Sequence, residues 1–383
     1  MYNHPPIQTV IRTDFNSVDF LTNYWQQKPC LLRGLLPAFD DPIDEHDLAG
    51  LSQEEHVDSR IVSQLDTGEW HTQQGPFKDF NHVLQGKWSL LVQATDRDFP
   101  AIDALAQAFD FIPYWRSDDV MISFSVPGAG VGAHVDQYDV FLVQGKGQRR
   151  WQVGMPSSEK EVINNGLRHV PPFTAVIDCI CEAGDVLYIP PNWPHKGETL
   201  VDAITYSVGY RAPDSELLFG AVLDGIMQQT IANQRYQDPS PQFATLPAQV
   251  SAEELSRLKQ QMCATINSEA VTTALLAALS VQHIDTEGEA IAQETIAQSL
   301  VSGLTLNRRE GLRPIYADKQ SGSVFWFFIN GEKMGATMSL RPNLEPLLNQ
   351  PQHTMYTTTE PELDAELSQL LGELISCGFY TLD

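Results

Sequence analysis

Positive charge is scarce in this chain. Only 24 Lys and Arg stand against 49 Asp and Glu, which leaves a formal net charge of −25 over 383 residues. A protein that grips phosphate backbones needs a basic field, so direct nucleic-acid binding and adhesion to anionic membranes are disfavoured. The deficit is not local. Residues 1–212 carry 15 basic against 28 acidic side chains, and residues 213–383 carry 9 against 21. Long apolar runs are also missing: the densest, Val324–Ile329, is strand-sized, far short of the ~18 residues of a membrane-spanning helix. The opening MYNHPPIQTVIRTDF has no basic stretch leading into an apolar one, so no signal peptide is read and a cytoplasmic location is expected. Cysteine is sparse: Cys30, Cys179, Cys181, Cys263 and Cys377 are odd in number and scattered, with no C-x-x-C among them. That argues against a disulfide framework or a zinc finger and for reduced thiols. Cys179 and Cys181 fall in an alternating stretch that places both on one face of a strand.

What is present divides by periodicity. The length suits two or three domains. Up to residue 212 the strongest segments are short, β-branched and aromatic: VMISFSV (120–126), DVFLVQ (139–144), RWQV (150–153), VLYI (186–189) and AITYSVGY (203–210). Turn residues separate them, the pattern of an all-β barrel or sandwich. Before them, DFLTNYWQQK (19–28) reads as a short helix stopped by Pro29. Residues 213–281 turn helical, with Ser251 and Glu254 spaced as a capping box and an apolar stripe of Leu255, Leu258, Met262 and Ile266. So apolar a helical segment must cover the β domain or a second copy of itself. Residues 282–383 mix strands with a last helix, capped by Thr359 and Glu362 and ended by Gly378. Helices followed by a hairpin suit a small winged-helix-like domain. The expected fold is therefore α+β: a β barrel, a helical segment and a winged-helix-like C-terminal domain.

Chemistry is concentrated in His-x-Asp pairs, which on a strand direct both side chains to one face and one metal. There are three. His56/Asp58 lies in the polar stretch QEEHVDSR, and His283/Asp285, with His353 as a distant third partner, lacks flanking strands. His134/Asp136 differs, because it follows a strand and the glycine-rich turn PGAGVGA (127–133) and precedes another strand. His195 ends GDVLYIPPNWPH, where the prolines stiffen the loop that presents it. Two His and one carboxylate cover one face of Fe(II) and leave the other open to co-substrates. Arg149 and Arg150 stand where the chain turns between strands, and a guanidinium fork suits the far carboxylate of a dicarboxylate co-substrate. Which of the two points inward is a matter of strand parity. Ser123, Thr205 and Ser207 supply hydroxyls nearby.

The segments ISFSVPGAGVGAHVDQYDVFLVQGKGQRRWQVG, GDVLYIPPNWPHKGE and ITYSVGYRAP together resemble the JmjC-type cupin oxygenases, and among them the bacterial ribosomal-oxygenase branch. The early YWQQKPCLLRGLL (24–36) is similar too. The resemblance spans about residues 10–212 strongly and extends in architecture to the C-terminal half. It implies a double-stranded β-helix over 1–212, a helical dimerisation segment over 213–281 and a winged-helix-like domain over 282–383. It implies His134, Asp136 and His195 as Fe(II) ligands, and Arg149 with Ser123 as the 2-oxoglutarate anchor, with Thr205 and Ser207 as further contacts. The implied reaction uses Fe(II), 2-oxoglutarate and O2 to hydroxylate the β-carbon of an arginine in large-subunit ribosomal protein sixteen. A basic ribosomal substrate suits the acidity of this chain, and Asp118, Asp119 and Asp139 are candidates to pair its guanidinium. Three other readings remain open at this point: an N-methyl demethylase, a barrel kept only for binding or dimerisation, and a DNA-binding regulator using Arg308, Arg309 and Arg313.

Overall fold

A computed structural model of the chain describes residues 11–157, 162–164, 167–238 and 248–382. Most of the proline-rich stretch at 237–249 lies outside them. The chain divides into two compact units, Met1–Ala212 with Arg309–Gly311, and Pro213–Arg308 with Leu312–Asp383.

The first unit is built on two antiparallel sheets. The larger has eight strands in the order β3 (Trp70–Gln74), β2 (Ser59–Gln64), β4 (Lys87–Val92), β5 (Ser117–Ser125), β13 (Ala203–Tyr210), β6 (Asp139–Gln144), β11 (Val186–Ile189) and β1 (Cys30–Leu32). The smaller has β10 (Ala175–Cys181), β7 (Gln148–Gly154) and β12 (His195–Val201). A short pair, β8 (Val162–Asn164) and β9 (Leu167–His169), lies beside them. Strand alternation sorts side chains to two cores. Val120, Ile122, Phe124, Phe141, Val143 and Tyr188 pack on the outer face of the large sheet, against Phe20 of helix α1 (Ser17–Asn23), Leu48 of α2 (Glu45–Leu51) and Ile102 and Leu105 of α3 (Pro100–Gln107). Val140, Leu142, Trp151, Val153, Leu187 and Ile189 fill the space between the sheets.

The expected barrel strands are present with bounds within a few residues. The early helix is shorter than its apolar pattern suggests: Asn16 caps it by accepting from Asp19 N–H, and it ends at Asn23, with the following Gln26 at positive φ. Strands β2, β3 and β4 are additions that the sequence pattern did not announce.

The second unit holds helices α4 (Ser215–Met227), α5 (Ala252–Ile266), α6 (Glu269–Leu279), α7 (Gln293–Ser302), α8 (Arg341–Asn349) and α9 (Pro361–Ser376). Its strands are β14 (Leu304–Arg308), the hairpin β15 (Val324–Ile329) and β16 (Glu332–Thr337), and β17 (Gln352–Met355) and β18 (Tyr380–Leu382), which flank β14. Phe325, Phe327 and Ile329 pack with Leu367, Leu371 and Leu374 of α9. The Ser251–Glu254 capping box forms with both reciprocal bonds. The cap expected of Thr359 and Glu362 does not: α9 begins at Pro361, whose missing N–H costs nothing at the first helical position. No single described helix is long and apolar enough to cross a membrane.

Candidate active site

His134 and His195 meet across an isolated antiparallel bridge. The backbone N–H of each donates to the carbonyl of the other, at 3.0 and 2.9 Å. Two loops set this geometry. In the first, Gly132 takes φ +83°, and a Cβ there would meet the His169 ring at 2.4 Å, so glycine is required. In the second, the turn after β11 is tied to the first by Asn192 N–H, which donates to the Asp136 carbonyl at 2.8 Å. Each imidazole is then oriented by its own loop: His134 Nδ1 lies 3.1 Å from Gly132 O and His195 Nδ1 2.9 Å from Trp193 O. A carbonyl only accepts, so both Nδ1 atoms carry the proton and both Nε2 lone pairs are left for another partner. Those Nε2 atoms lie 3.9 and 3.4 Å from Asp136 Oδ2.

Among the described residues these three form the one group of His, Cys, Asp and Glu able to hold a metal ion, with ligand atoms all within 4.8 Å of one another. His283, Asp285 and His353 form no such cluster, and His56 lies beside Asp98 instead. Burial and then the neighbouring His195 lower the His134 pKa to about 4. Burial alone would push Asp136 up, but the neighbouring His195 and His134 hold it at about 2. A neutral His134 imidazole beside an ionised Asp136 carboxylate gives protonation states that a divalent metal needs.

The triad opens into a cavity of about 340 Å³ whose walls include Ser123, Arg149, Trp151, Tyr138, Ser207 and Arg60. Parity settles the arginine pair. Arg149 points inward and is 4% exposed; Arg150 points outward to Asp178. Arg149 Nη1 donates to Ser123 Oγ at 3.3 Å and to Thr205 Oγ1 at 3.4 Å, and its guanidinium lies 4.7 Å from the centre of the Trp151 ring. Register explains the meeting, since Thr205 faces Ser123 on β5 and Gln144 on β6. Among the described residues no carboxylate pairs with Arg149, its Nε has no partner, and burial lowers its pKa to about 10. A buried guanidinium without a counter-charge, opening on a cavity, calls for an anionic ligand.

The acidic candidates separate. Asp119 alternates along β5 with the cavity-lining Met121 and Ser123; it accepts from Ala94 N–H, and burial with Asp96 and Asp118 raises its pKa to about 7. Asp118 pairs with Arg211 at 3.3 Å. Asp139 corrects the expectation. It is 0% exposed and accepts from Arg116 Nη2 at 2.8 Å, Gln26 Nε2 at 2.9 Å and Tyr188 Oη at 2.6 Å. It sits one residue before the cavity-lining Val140, so alternation turns it to the opposite face, where it holds the fold together. Tyr138, Trp151, Arg60 and His169 line the cavity without having been singled out from the sequence. Only the alternation of β7, with Trp151 two residues past Arg149, signalled any of them. Arg308 and Arg313 are buried, so the basic cluster of the C-terminal unit is not a surface patch.

Comparison with known proteins bears on the whole chain. A JmjC domain model matches residues 104–218, and a ROXA-like winged-helix model matches 248–381. The chain is 37% identical over 383 aligned positions to the ribosomal protein uL16 3-hydroxylase of Escherichia coli K12, covering 95% of this chain and 97% of that one. It belongs to the JmjC ribosomal oxygenases. A probable ribosomal oxygenase of Haemophilus influenzae is 39% identical over 215 residues, 55% of this chain and 53% of its own length. The structure of the E. coli ribosomal oxygenase YcfD in complex with cobalt and 2-oxoglutarate superposes with a TM-score of 0.86 at 36% identity, covering 98% of this chain and 99% of that one. As a ribosomal oxygenase the chain is an Fe(II)- and 2-oxoglutarate-dependent dioxygenase with a JmjC cupin fold, a helical segment and a winged-helix-like C-terminal domain.

Proposed function

We propose that this oxygenase hydroxylates the β-carbon of an arginine in the large-subunit ribosomal protein uL16, with His134, Asp136 and His195 holding Fe(II). The observation that carries the site assignment is the buried Arg149, which lacks a carboxylate partner and shares a cavity with the triad. When bound, the metal with 2-oxoglutarate and O2 supplies the oxidising power that converts a substrate C–H to C–OH, the co-substrate leaving as succinate and CO2. The chain's own part is placement. The Gly132 and Trp193 carbonyls lock the imidazoles, Asp136 completes the facial set, and the opposite side stays open to the cavity. Arg149 takes the far carboxylate of 2-oxoglutarate with Ser123 and Thr205 beside it, and the apolar part of the wall, Leu91, Met121 and Leu142 among it, limits water. Ser207, on the same strand face as Thr205, contacts what occupies the cavity.

Asp119, with Asp118 next to it, receives the substrate guanidinium, and the acidity of the chain attracts a basic protein. The substrate's name comes from the E. coli relative, and a ribosomal substrate puts the enzyme in the cytoplasm. Incubating purified enzyme with uL16, iron and 2-oxoglutarate tests the reading. A gain of one oxygen on an arginine supports it, while loss of a methyl group instead indicates demethylation and an unmodified uL16 contradicts it.

The helices of residues 213–281 leave apolar side chains in solvent, among them Phe219 at 59% and Met262 at 62% exposed, together with Leu223, Leu255 and Leu258. So many large apolar side chains left in solvent on these helices point to an interface, and a second copy of the chain is its occupant in this reading. Light scattering should give twice the chain mass, falling to one chain in Phe219→Asp; a wild-type monomer contradicts the assignment.

A further inference from the structure

Two of the five cysteines sit two residues apart on the inner face of β10, where Ile177, Cys179 and Cys181 alternate with the exposed Val176, Asp178 and Ile180. Across the ladder on β7, Cys181 lies opposite Arg149 and Cys179 opposite Trp151. Antiparallel partners project to the same side of a sheet, so both thiols flank the Arg149–Trp151 pair. Cys181 is buried and Cys179 half-buried. Arg33, just after β1, approaches the same strand, its Nη1 donating to the carbonyl of Ile180 at 2.6 Å and to Asp185 Oδ2 at 2.6 Å.

This surrounding makes the two thiols unequal. The Cys179 pKa is lowered, first by the hydrogen bond from Cys181; burial opposes this and the Arg33 charge assists it. The same bond, with burial, pushes Cys181 far up, so it stays protonated. Cys179 is thus the more acidic of the two thiols, and Cys181 holds its proton beside it on the same strand face.

We propose that Cys179 is an oxidant-reactive thiol that takes hydrogen peroxide or an organic peroxide, and that Cys181 closes the product to a Cys179–Cys181 disulfide. In the first step the Cys179 thiolate attacks the peroxide, an S–O bond forms as the O–O bond breaks, and hydroxide leaves and is protonated. In the second, the Cys181 sulfur attacks the sulfenic sulfur, the S–S bond forms as the S–O bond breaks, and the Cys181 proton leaves with the hydroxyl as water. Two thiols are oxidised to one disulfide, and hydrogen peroxide is reduced to two waters.

Geometry makes that bond reversible. Alternate residues of a strand have Cα atoms about 6.5–7 Å apart, at the upper edge of the roughly 4.4–6.8 Å that a disulfide spans. Closure must pinch β10. The strand can yield, because it is the edge of its three-stranded sheet and its pairing already shifts register between Ala175 and Ile177. A strained bond is readily reduced, the character of regulatory disulfides. The pinch draws on Arg149 and Trp151 across the ladder, so the oxidised enzyme holds 2-oxoglutarate less well. The thiol chemistry stands independently; this last consequence rests on the co-substrate role proposed for Arg149.

The test uses the full-length protein loaded with redox-inert zinc, so that peroxide does not react at the metal. After equimolar peroxide, free thiols are alkylated and the peptides read by mass spectrometry. The peptide carrying Cys179 and Cys181 should lose two hydrogens and resist alkylation until dithiothreitol is added, before the exposed Cys263 reacts. In Cys181→Ser, a sulfenic acid at Cys179 should be trapped by dimedone. Oxidation of Cys263 with the pair still reduced overturns the proposal. Calorimetric titration of 2-oxoglutarate separates the second step: the oxidised protein should bind about tenfold more weakly and recover on reduction, whereas equal affinities overturn the link to Arg149. If the reduced protein binds no 2-oxoglutarate, the co-substrate reading fails and the thiol map is judged on its own.

Discussion

Replacing Arg149 by Met separates ligand binding from folding more cleanly than any other single change. The guanidinium is 4% exposed, and among the described residues no carboxylate pairs with it. Burial alone moves its pKa from 12.5 to about 10, a desolvation cost of about 3 kcal/mol to the metal-free, ligand-free protein. Met fills similar volume without that cost, so the variant should melt no lower than wild type when nothing is bound. With 2-oxoglutarate the order reverses. Losing a charge-assisted, bidentate carboxylate contact in a closed cavity costs about 2–5 kcal/mol, hence a rise in the KM for 2-oxoglutarate of about thirtyfold to several thousandfold. Arg149→Lys keeps the charge but loses the fork and should fall between. The assay is succinate formation against 2-oxoglutarate concentration, paired with thermal melts with and without the co-substrate. A KM within about twofold of wild type, or a melt collapsing without ligand, refutes the reasoning.

Asp119 carries a pKa raised to about 7 by burial and the charges of Asp96 and Asp118, so it ionises as pH rises through neutrality. The KM for a cationic substrate should fall across that range, and Asp119→Asn should lose the dependence; superimposable profiles contradict the assignment. Asp139→Ala strips Arg116 of its buried partner and should destabilise the fold by about 3–5 kcal/mol in urea unfolding. A raised substrate KM without lost stability would restore Asp139 as a substrate contact. His134 titrates near 6.5 when unfolded but at about 4 in the metal-free fold, so the unfolded chain binds the extra proton between those values. Stability of the metal-free protein should therefore fall as pH drops from 6.5 to 4, by up to about 3 kcal/mol and less where solvent reaches the ring. His134→Gln should flatten that slope, and a flat wild-type curve contradicts the shift.

The triad was legible because its ligands are local: two share a strand-spaced motif, and the third ends a proline-stiffened loop after a clear strand. The rest of the cavity was not. Arg60, Trp151 and His169 come from strands far apart in sequence, and only pairing register brings them together. Strands β2 and β3 were missed because SRIVSQ and WHTQQ carry too much polarity for a buried run, β3 being largely in solvent. Asp139 shows the limit of proximity in sequence, because one residue of alternation separates the cavity wall from the outer core. The split between Arg149 and Arg150 is the same parity problem, resolved only by the register of β7. At α9, an apparent Thr–Glu cap lost to a proline whose preferred place is the first helical turn.

In the proposed reaction this enzyme adds oxygen to an arginine of uL16. Intact-mass analysis of ribosomal proteins from cells with and without the gene measures it most directly. Of these proteins uL16 alone should be heavier by one oxygen when the gene is present, and His134→Ala in the chromosome should abolish the difference. Identical uL16 masses with and without the gene contradict it.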